Sequence, residues 1–223
     1  MNSNLQYKID ICFCISISQS ISTLKVFLKE KNMMDLFTEI LNAYRYLDKN
    51  VEFCRFRLIG FNCTNGYIFE SPFFLIPEKE DQLDNIVTKS FISENFQNVG
   101  HELYALGLSI KSDWVRDGDR QRHIIVVWSD ASTHPLEKGA GSSNGHYPMG
   151  MPKDFNELTG WWDGQSYMSN HSAKRLIVFA PDSNAWTNIS THWENTVHYP
   201  LKVGEGLAEV DYKNILSAIV NSI

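Results

Sequence analysis

Apolar positions along this chain follow two rhythms. Tyr7 to Ile15 is almost continuously apolar, interrupted only by Lys8 and Asp10, and it stops at Ser16-Ile17-Ser18-Gln19-Ser20. His123 to Trp128 is a second such run and stops at Ser129-Asp130-Ala131. Short runs of this kind suit strands buried on both faces, and oxygen-bearing side chains at their ends suit the carboxyl edge of a parallel sheet, where ligand sites form. Val51 to Phe61 predicts a further strand, Arg175 to Ala180 another and Asn195 to Tyr199 another. After Asn65-Gly66, Tyr67 to Ile76 predicts an antiparallel edge strand, because Pro72 cannot donate to a ladder.

The second rhythm has spacings of three and four. It predicts a long amphipathic helix, or two in succession, from Ser20 to Leu47, through Leu24, Phe27, Leu36, Ile40 and Tyr44. Pro77 and the acidic run after it open a helix with Leu83, Ile86 and Val87 inward. Further helices are predicted from Gly100 to Trp114, Phe155 to Trp162 and Val210 to Ile223, with a turn at Arg116-Asp117-Gly118-Asp119. Strands alternating with helices predict an α/β fold: a doubly wound, Rossmann-like, mostly parallel sheet of about six strands. Tyr7–Ile15 should lie in its middle, with helices on both faces and one antiparallel edge strand.

At 223 residues the chain suits a single domain spanning residues 1–223. Its hydrophobic content of 43% excludes global disorder. A net charge of -6 and a pI near 5.6 disfavour non-specific nucleic-acid binding. The first apolar run is too short for a membrane span, which takes about 20 apolar residues, so a cytoplasmic protein is expected. Cys12 and Cys14 share one face of a strand, Cys54 and Cys63 stand apart, and buried free thiols are the expectation for all four.

Four strings set this pattern in a wider context: Tyr7-Lys8-Ile9-Asp10-Ile11-Cys12-Phe13-Cys14-Ile15, Lys111-Ser112-Asp113-Trp114, Arg122 through Ala131 with Thr133-His134, and Ala173 through Pro181. In this order they resemble the von Willebrand factor A domain, of the bacterial intracellular type. The resemblance implies a metal-ion-dependent adhesion site that usually holds Mg²⁺. Its D-x-S-x-S motif falls on Ser16, Ser18 and Ser20, and its later Asp on Asp130. The first Asp is therefore a serine. A glycine-rich acidic loop of the family matches Glu94 to Gly100, which keeps only Gly100 and the nearby Glu94, neither at the motif position.

Mg²⁺ is held by near-octahedral oxygens, with one or two carboxylates from protein. Two hydroxyls and one carboxylate (Ser18, Ser20 and Asp130) make a vestigial site, with at most weak Mg²⁺ and no other cofactor. The resemblance implies a non-catalytic protein-interaction module, an adaptor in a bacterial multi-protein system of stress response or phage defence, with kinase, phosphatase or ATPase partners. Its docking face would be Ser16, Ser18, Ser20, Asp130, Ser132, Thr133 and His134, beside the Lys138 to Gly150 loop. The alternative is an Mg²⁺-dependent binder whose shell a partner carboxylate completes. A hydrolase is a third reading, since Ser18, His134 and Asp130 can converge above the sheet. It lacks a G-x-S-x-G elbow, because Gln19 follows Ser18.

The Ser16 to Ser22 turn has no glycine for a dinucleotide or P-loop fingerprint. The seven histidines show neither H-x-x-x-H nor H-E-x-x-H spacing, so surface or satisfied core positions are expected rather than zinc. For Trp161-Trp162 the expectation is one ring in the core and one exposed.

Overall fold

The computed structural model describes residues 5–16, 33–46, 50–62, 67–79, 81–83, 85, 102–129, 150–203, 210 and 212–222. The chain runs β1 (Tyr7–Ser16), α1 (Met33–Tyr46), β2 (Val51–Asn62), β3 (Tyr67–Glu70), β4 (Phe74–Ile76), α2 (Glu102–Ile110) and β5 (Arg120–Trp128). It continues through α3 (Phe155–Asp163), a 3₁₀ turn (His171–Ala173), β6 (Lys174–Pro181), α4 (Asn184–His192), β7 (Thr196–Leu201) and α5 (Tyr212–Val220). Seven strands form one sheet in the order β3-β2-β1-β5-β6-β7, with β4 also paired to β2. Strands β2, β1, β5, β6 and β7 are mutually parallel, while β3 and β4 run antiparallel to β2.

The seventh strand arises because Pro72 splits the expected Tyr67–Ile76 strand in two. Ser71 bridges the break: its N–H donates to the Leu58 carbonyl at 2.9 Å, and its Oγ accepts the Leu58 N–H at 2.9 Å. At the other edge, the Leu176 N–H reaches the Asn195 carbonyl at 2.9 Å. Parallel-ladder alternation then turns position 200 outward, so Pro200 forfeits no bond to β6.

Strand β1 is buried on both faces, which is why its sequence reads as a continuous run. Ile9, Ile11, Phe13 and Ile15 pack with Leu36, Phe37 and Ile40 of α1 and with Ile215 and Ile219 of α5. Cys12 and Cys14 point the other way, toward Leu106 and Ile110 of α2, Trp162 of α3, and Trp186 and Ile189 of α4. Helices therefore cover both faces. Phe13 is the hub of the first cluster, with ring centroids at 5.3 Å to Phe37, 6.3 Å to Phe56 and 5.5 Å to Trp128.

The sequence pattern misses α4, passing from one strand to the next across Asn184–His192. This segment is rich in Asn, Thr and Ser, which are poor helix formers, yet Trp186 and Ile189 three apart are both fully buried. The helix expected from Gly100 to Trp114 ends at Ile110. There Trp114 folds back, and its Nε1–H donates to the carbonyls of Ser109 at 3.1 Å and Ile110 at 3.0 Å, closing the helix end. Helix α3 begins as expected at Phe155, where Asp154 accepts the Glu157 N–H at 2.8 Å. In the predicted turn Gly118 has φ +93°, and a Cβ there would lie 2.8 Å from the Lys8 side chain. Residues 81–83 are helical with Leu83 buried; Ile86 and Val87 lie outside the described residues.

Phe13→Ala should lower stability by about 3–5 kcal/mol, the usual cost of emptying a buried aromatic site. Tyr46→Ala, at a position 91% exposed, should stay within about 0.5 kcal/mol of the parent. Urea unfolding of both variants measures the difference.

Candidate functional site

The carboxyl edge of the sheet is built by strands that end level. Ser16 closes β1 opposite Phe61 of β2, and Ile15 lies opposite Trp128, the last residue of β5. Ser129 follows, buried, its N–H on the Phe179 carbonyl at 2.9 Å. The loops after β1 and β5 therefore leave from adjacent positions on adjacent strands. Ser16 is half-buried. Ser18, Ser20, Asp130, Ser132, Thr133 and His134 lie outside the described residues, as does the Glu94 to Gly100 segment. Of the Lys138 to Gly150 loop only Gly150 is described, its carbonyl accepting from Lys111 Nζ at 3.0 Å.

The structure adds one acid that the sequence pattern does not single out. Glu102 opens α2 fully buried, close enough to Cys14 to act on its thiol. Burial chiefly, then Cys12, pushes that thiol well up, with Glu102 adding to the effect. Among the described residues, no three His, Cys, Asp or Glu side chains gather as a metal site would require.

A second polar constellation crosses four strands nearer their amino-terminal ends. Strand register aligns Arg55 of β2, Asp10 of β1, His123 of β5 and Lys174 of β6 in one row. Asp10 is 1% exposed. It accepts two hydrogen bonds from Arg55, Nε to Oδ1 and Nη2 to Oδ2, each 2.8 Å, and a third from the Val115 N–H at 2.7 Å. Arg55 Nη2 also donates to the Asp113 carbonyl at 2.9 Å, and its guanidinium lies 4.7 Å from the Phe73 ring.

His123 completes the clamp on this turn. Its Nε2–H donates to the Val115 carbonyl at 2.7 Å, so its Nδ1 is left to accept the Ser169 N–H at 3.3 Å. The tautomer is thereby fixed, and Trp114 stacks on the ring at 5.0 Å. Burial chiefly depresses the pKa of His123, against a raising effect of the Val115 carbonyl. Lys174 is fully buried and donates its Nζ hydrogens to the Trp162 and Gly164 carbonyls at the end of α3. Each partner is a backbone group or a neighbouring charge of the protein. The row anchors the α2–β5 and α3–β6 connections.

Cys12, Cys14 and Cys54 are free and buried; burial chiefly raises the Cys12 thiol to about 11. Cys63 lies outside the described residues. Trp162 is fully buried and stacks on Trp193 at 5.3 Å. Trp161 is half-buried rather than exposed, packed against Tyr167 at 5.1 Å with Lys111 Nζ 5.3 Å from its ring centroid. His198 donates to the Ala180 carbonyl at 2.9 Å, and His192 to that of Asn188 at 2.8 Å.

No protein-family model matches this chain, and no curated protein does. Among solved structures it is similar to the pilus adhesin SpaC from Lactobacillus rhamnosus GG in its open conformation. That match has 14% identity over 96% of this chain and 29% of the adhesin, with a TM-score of 0.51. It is also similar to the PilB minor pilin from Streptococcus sanguinis, at 12% identity over 99% of this chain and 62% of the pilin, TM-score 0.53. The chain thus spans less than two thirds of either protein, and at such identities the likeness is one of fold.

The row sets a pH dependence. Because the folded pKa of His123 is depressed, the unfolded chain binds the extra proton first as pH falls. The stability from neutral His123 is full above the unfolded value and is lost as pH drops below about 6.5, at up to about 1.4 kcal/mol per pH unit. Unfolding free energies from pH 8 to pH 5 should decline on this limb, and the decline should flatten in His123→Gln. Asp10→Asn should cost about 2–3 kcal/mol, below a fully buried pair because Arg55 is 22% exposed.

Proposed function

We propose that this chain is a non-catalytic protein-interaction domain of the von Willebrand factor A type, with a doubly wound sheet and a degenerate metal site. The observation that carries the reading is the level ending of β1 and β5 at Ser16 and Ser129. From β1 the chain turns toward β2, with α1 on one face; from β5 it turns toward β6, with α3 on the other. Strand order reverses between them, which is where open α/β sheets present ligand sites.

The donor chemistry supports a protein partner over a resident ion. Ser16 supplies a neutral hydroxyl where the motif has a carboxylate. Ser18, Ser20 and Asp130 carry one negative charge between them, which does not fit a tightly held Mg²⁺. The docking face is then Ser16, Ser18, Ser20, Asp130, Ser132, Thr133 and His134. The partner is a component of a bacterial stress-response or phage-defence assembly, in the cytoplasm. Among the described residues no helix is long and apolar enough to cross a membrane.

Millimolar Mg²⁺ should leave the melting temperature unchanged, since a ligand stabilises by RT ln(1 + [L]/Kd), which stays small unless Kd is well below its concentration. A large rise that EDTA reverses points instead to the metal-dependent binder completed by a partner carboxylate.

Affinity capture from the native host tests the docking face. Asp130→Lys and Ser18→Trp should each abolish recovery of the main partner while the circular dichroism spectrum is kept. Asp119→Lys, at the opposite edge just before β5, should not. The reverse pattern moves the interaction surface away from the carboxyl edge.

A further inference from the structure

The face of the sheet that packs α1 and α5 carries an unusual set of cations near its amino-terminal edge. Arg122 lies on β5 opposite Ile9, and Arg175 lies on β6 opposite Ile124. Both guanidiniums donate to the same carbonyl, that of Ser172, at 3.3 Å and 3.0 Å. Their other acceptors are also main-chain carbonyls, Gln121 for Arg122 at 3.0 Å and Lys174 for Arg175 at 2.6 Å. Arg120 stands close by, donating to the Tyr7 hydroxyl at 2.9 Å, and the Arg120 and Arg122 guanidiniums lie 5.6 and 5.4 Å from the Tyr7 ring centroid.

Among the described residues, none of these three arginines has a carboxylate within ion-pair distance, although Arg55 and Arg57 each have one. The Nε of Arg122 is buried without a hydrogen-bond partner there. Burial works first against the charge of Arg122, and Arg175 and Arg120 add like charges beside it. Two guanidiniums converging on one carbonyl, in a chain of net charge -6, form a local positive centre that an anion would stabilise.

Arg175 also lines a groove of about 710 Å³ between β6, β7 and α5. Ile177, Val197, Leu201 and Ala218 give it apolar surface, and Asn214 and Ser217 give it polar surface. Val197 is 50% exposed, so part of this apolar wall faces solvent. The volume is that of small-molecule sites, which run from about 300 to 1,000 Å³ and combine an apolar lining with a few placed polar groups.

We propose that this groove binds an amphipathic organic anion, a carboxylate or phosphate monoester with an aliphatic body, its head group against Arg175 with Arg122 behind. The arginines of this site lie at the amino-terminal ends of β5 and β6, away from the level ends of β1 and β5. The site needs neither the metal motif nor the docking reading.

Titration calorimetry of the full chain with octyl phosphate, octanoate, inorganic phosphate and neutral octanol tests it. Octyl phosphate or octanoate should bind, more weakly as salt rises, and octanol should not. Arg175→Gln should weaken that binding about tenfold or more, the contribution of hydrogen bonds to a charged group. Ser217→Trp, at an exposed position on α5, leaves both arginines in place and fills the groove. It should abolish binding of the octyl anions, and this readout stands even if Arg175→Gln fails to fold. The proposal is overturned if neither octyl anion binds, if octanol binds as well as they do, or if a folded Arg175→Gln or Ser217→Trp binds them unchanged.

Discussion

A carboxylate buried inside the sheet organises the amino-terminal half of this protein. Asp10 is on β1, between two parallel neighbours, in a position from which an ion without partners would be expelled. It is tolerated because Arg55 meets both oxygens and the Val115 amide supplies a third donor. That third bond couples the charge to the fold. The same turn gives its Asp113 carbonyl to Arg55 and its Val115 carbonyl to His123. The approach to β5 is thus fixed against β1 and β2 together. With the start of β5 pinned and the two strands paired residue by residue from Tyr7 to Ile15, they end level at Ser16 and Ser129. The geometry of the carboxyl edge is set by a charge six residues below it, about 20 Å at the rise of a strand.

What the sequence made legible follows from what burial does to residue choice. Strands β1 and β5 are covered on both faces, so their runs are continuous, and Pro72 marks the antiparallel edge because a proline cannot serve an interior ladder. Helix α4 escaped notice because its propensities are poor and its helical state rests on tertiary burial of Trp186 and Ile189. The polar row was hidden for a different reason. Arg55, Asp10, His123 and Lys174 come one from each of four strands, and only register brings them into line. Ser16 was the one member of the anticipated docking face open to a structural reading, and it ends β1. Glu102 carries no spacing signal, since its place at that edge depends on where α2 begins.

The two faces of the sheet treat positive charge differently. On the face covered by α2, α3 and α4, Arg55 and Arg57 meet carboxylates and Lys174 closes the end of a helix. On the face covered by α1 and α5, Arg122 and Arg175 share a carbonyl and lean on dipoles and on the Tyr7 ring. Carbonyl dipoles orient a guanidinium without neutralising it, and among the described residues no carboxylate pairs with Arg122 or Arg175. In the proposed groove site that charge is what an anionic head group would meet.

The serine at the end of β1 bears on what the carboxyl edge can do. A carboxylate there would need an ion or a strong donor before water could be removed, because burying an unpaired charge is far costlier than burying a hydroxyl. A hydroxyl carries no charge to compensate, and one hydrogen bond satisfies it, at a cost of about 1–3 kcal/mol if it goes unmet. Replacing charge by hydroxyl thus weakens the edge as a cation site and lowers the penalty for drying it. The interior of protein interfaces is depleted in charged residues for the same reason. In the proposed reading the substitution is therefore more than a lost ligand, since it changes the contact favoured at this edge from a hydrated ion to a desolvated protein surface.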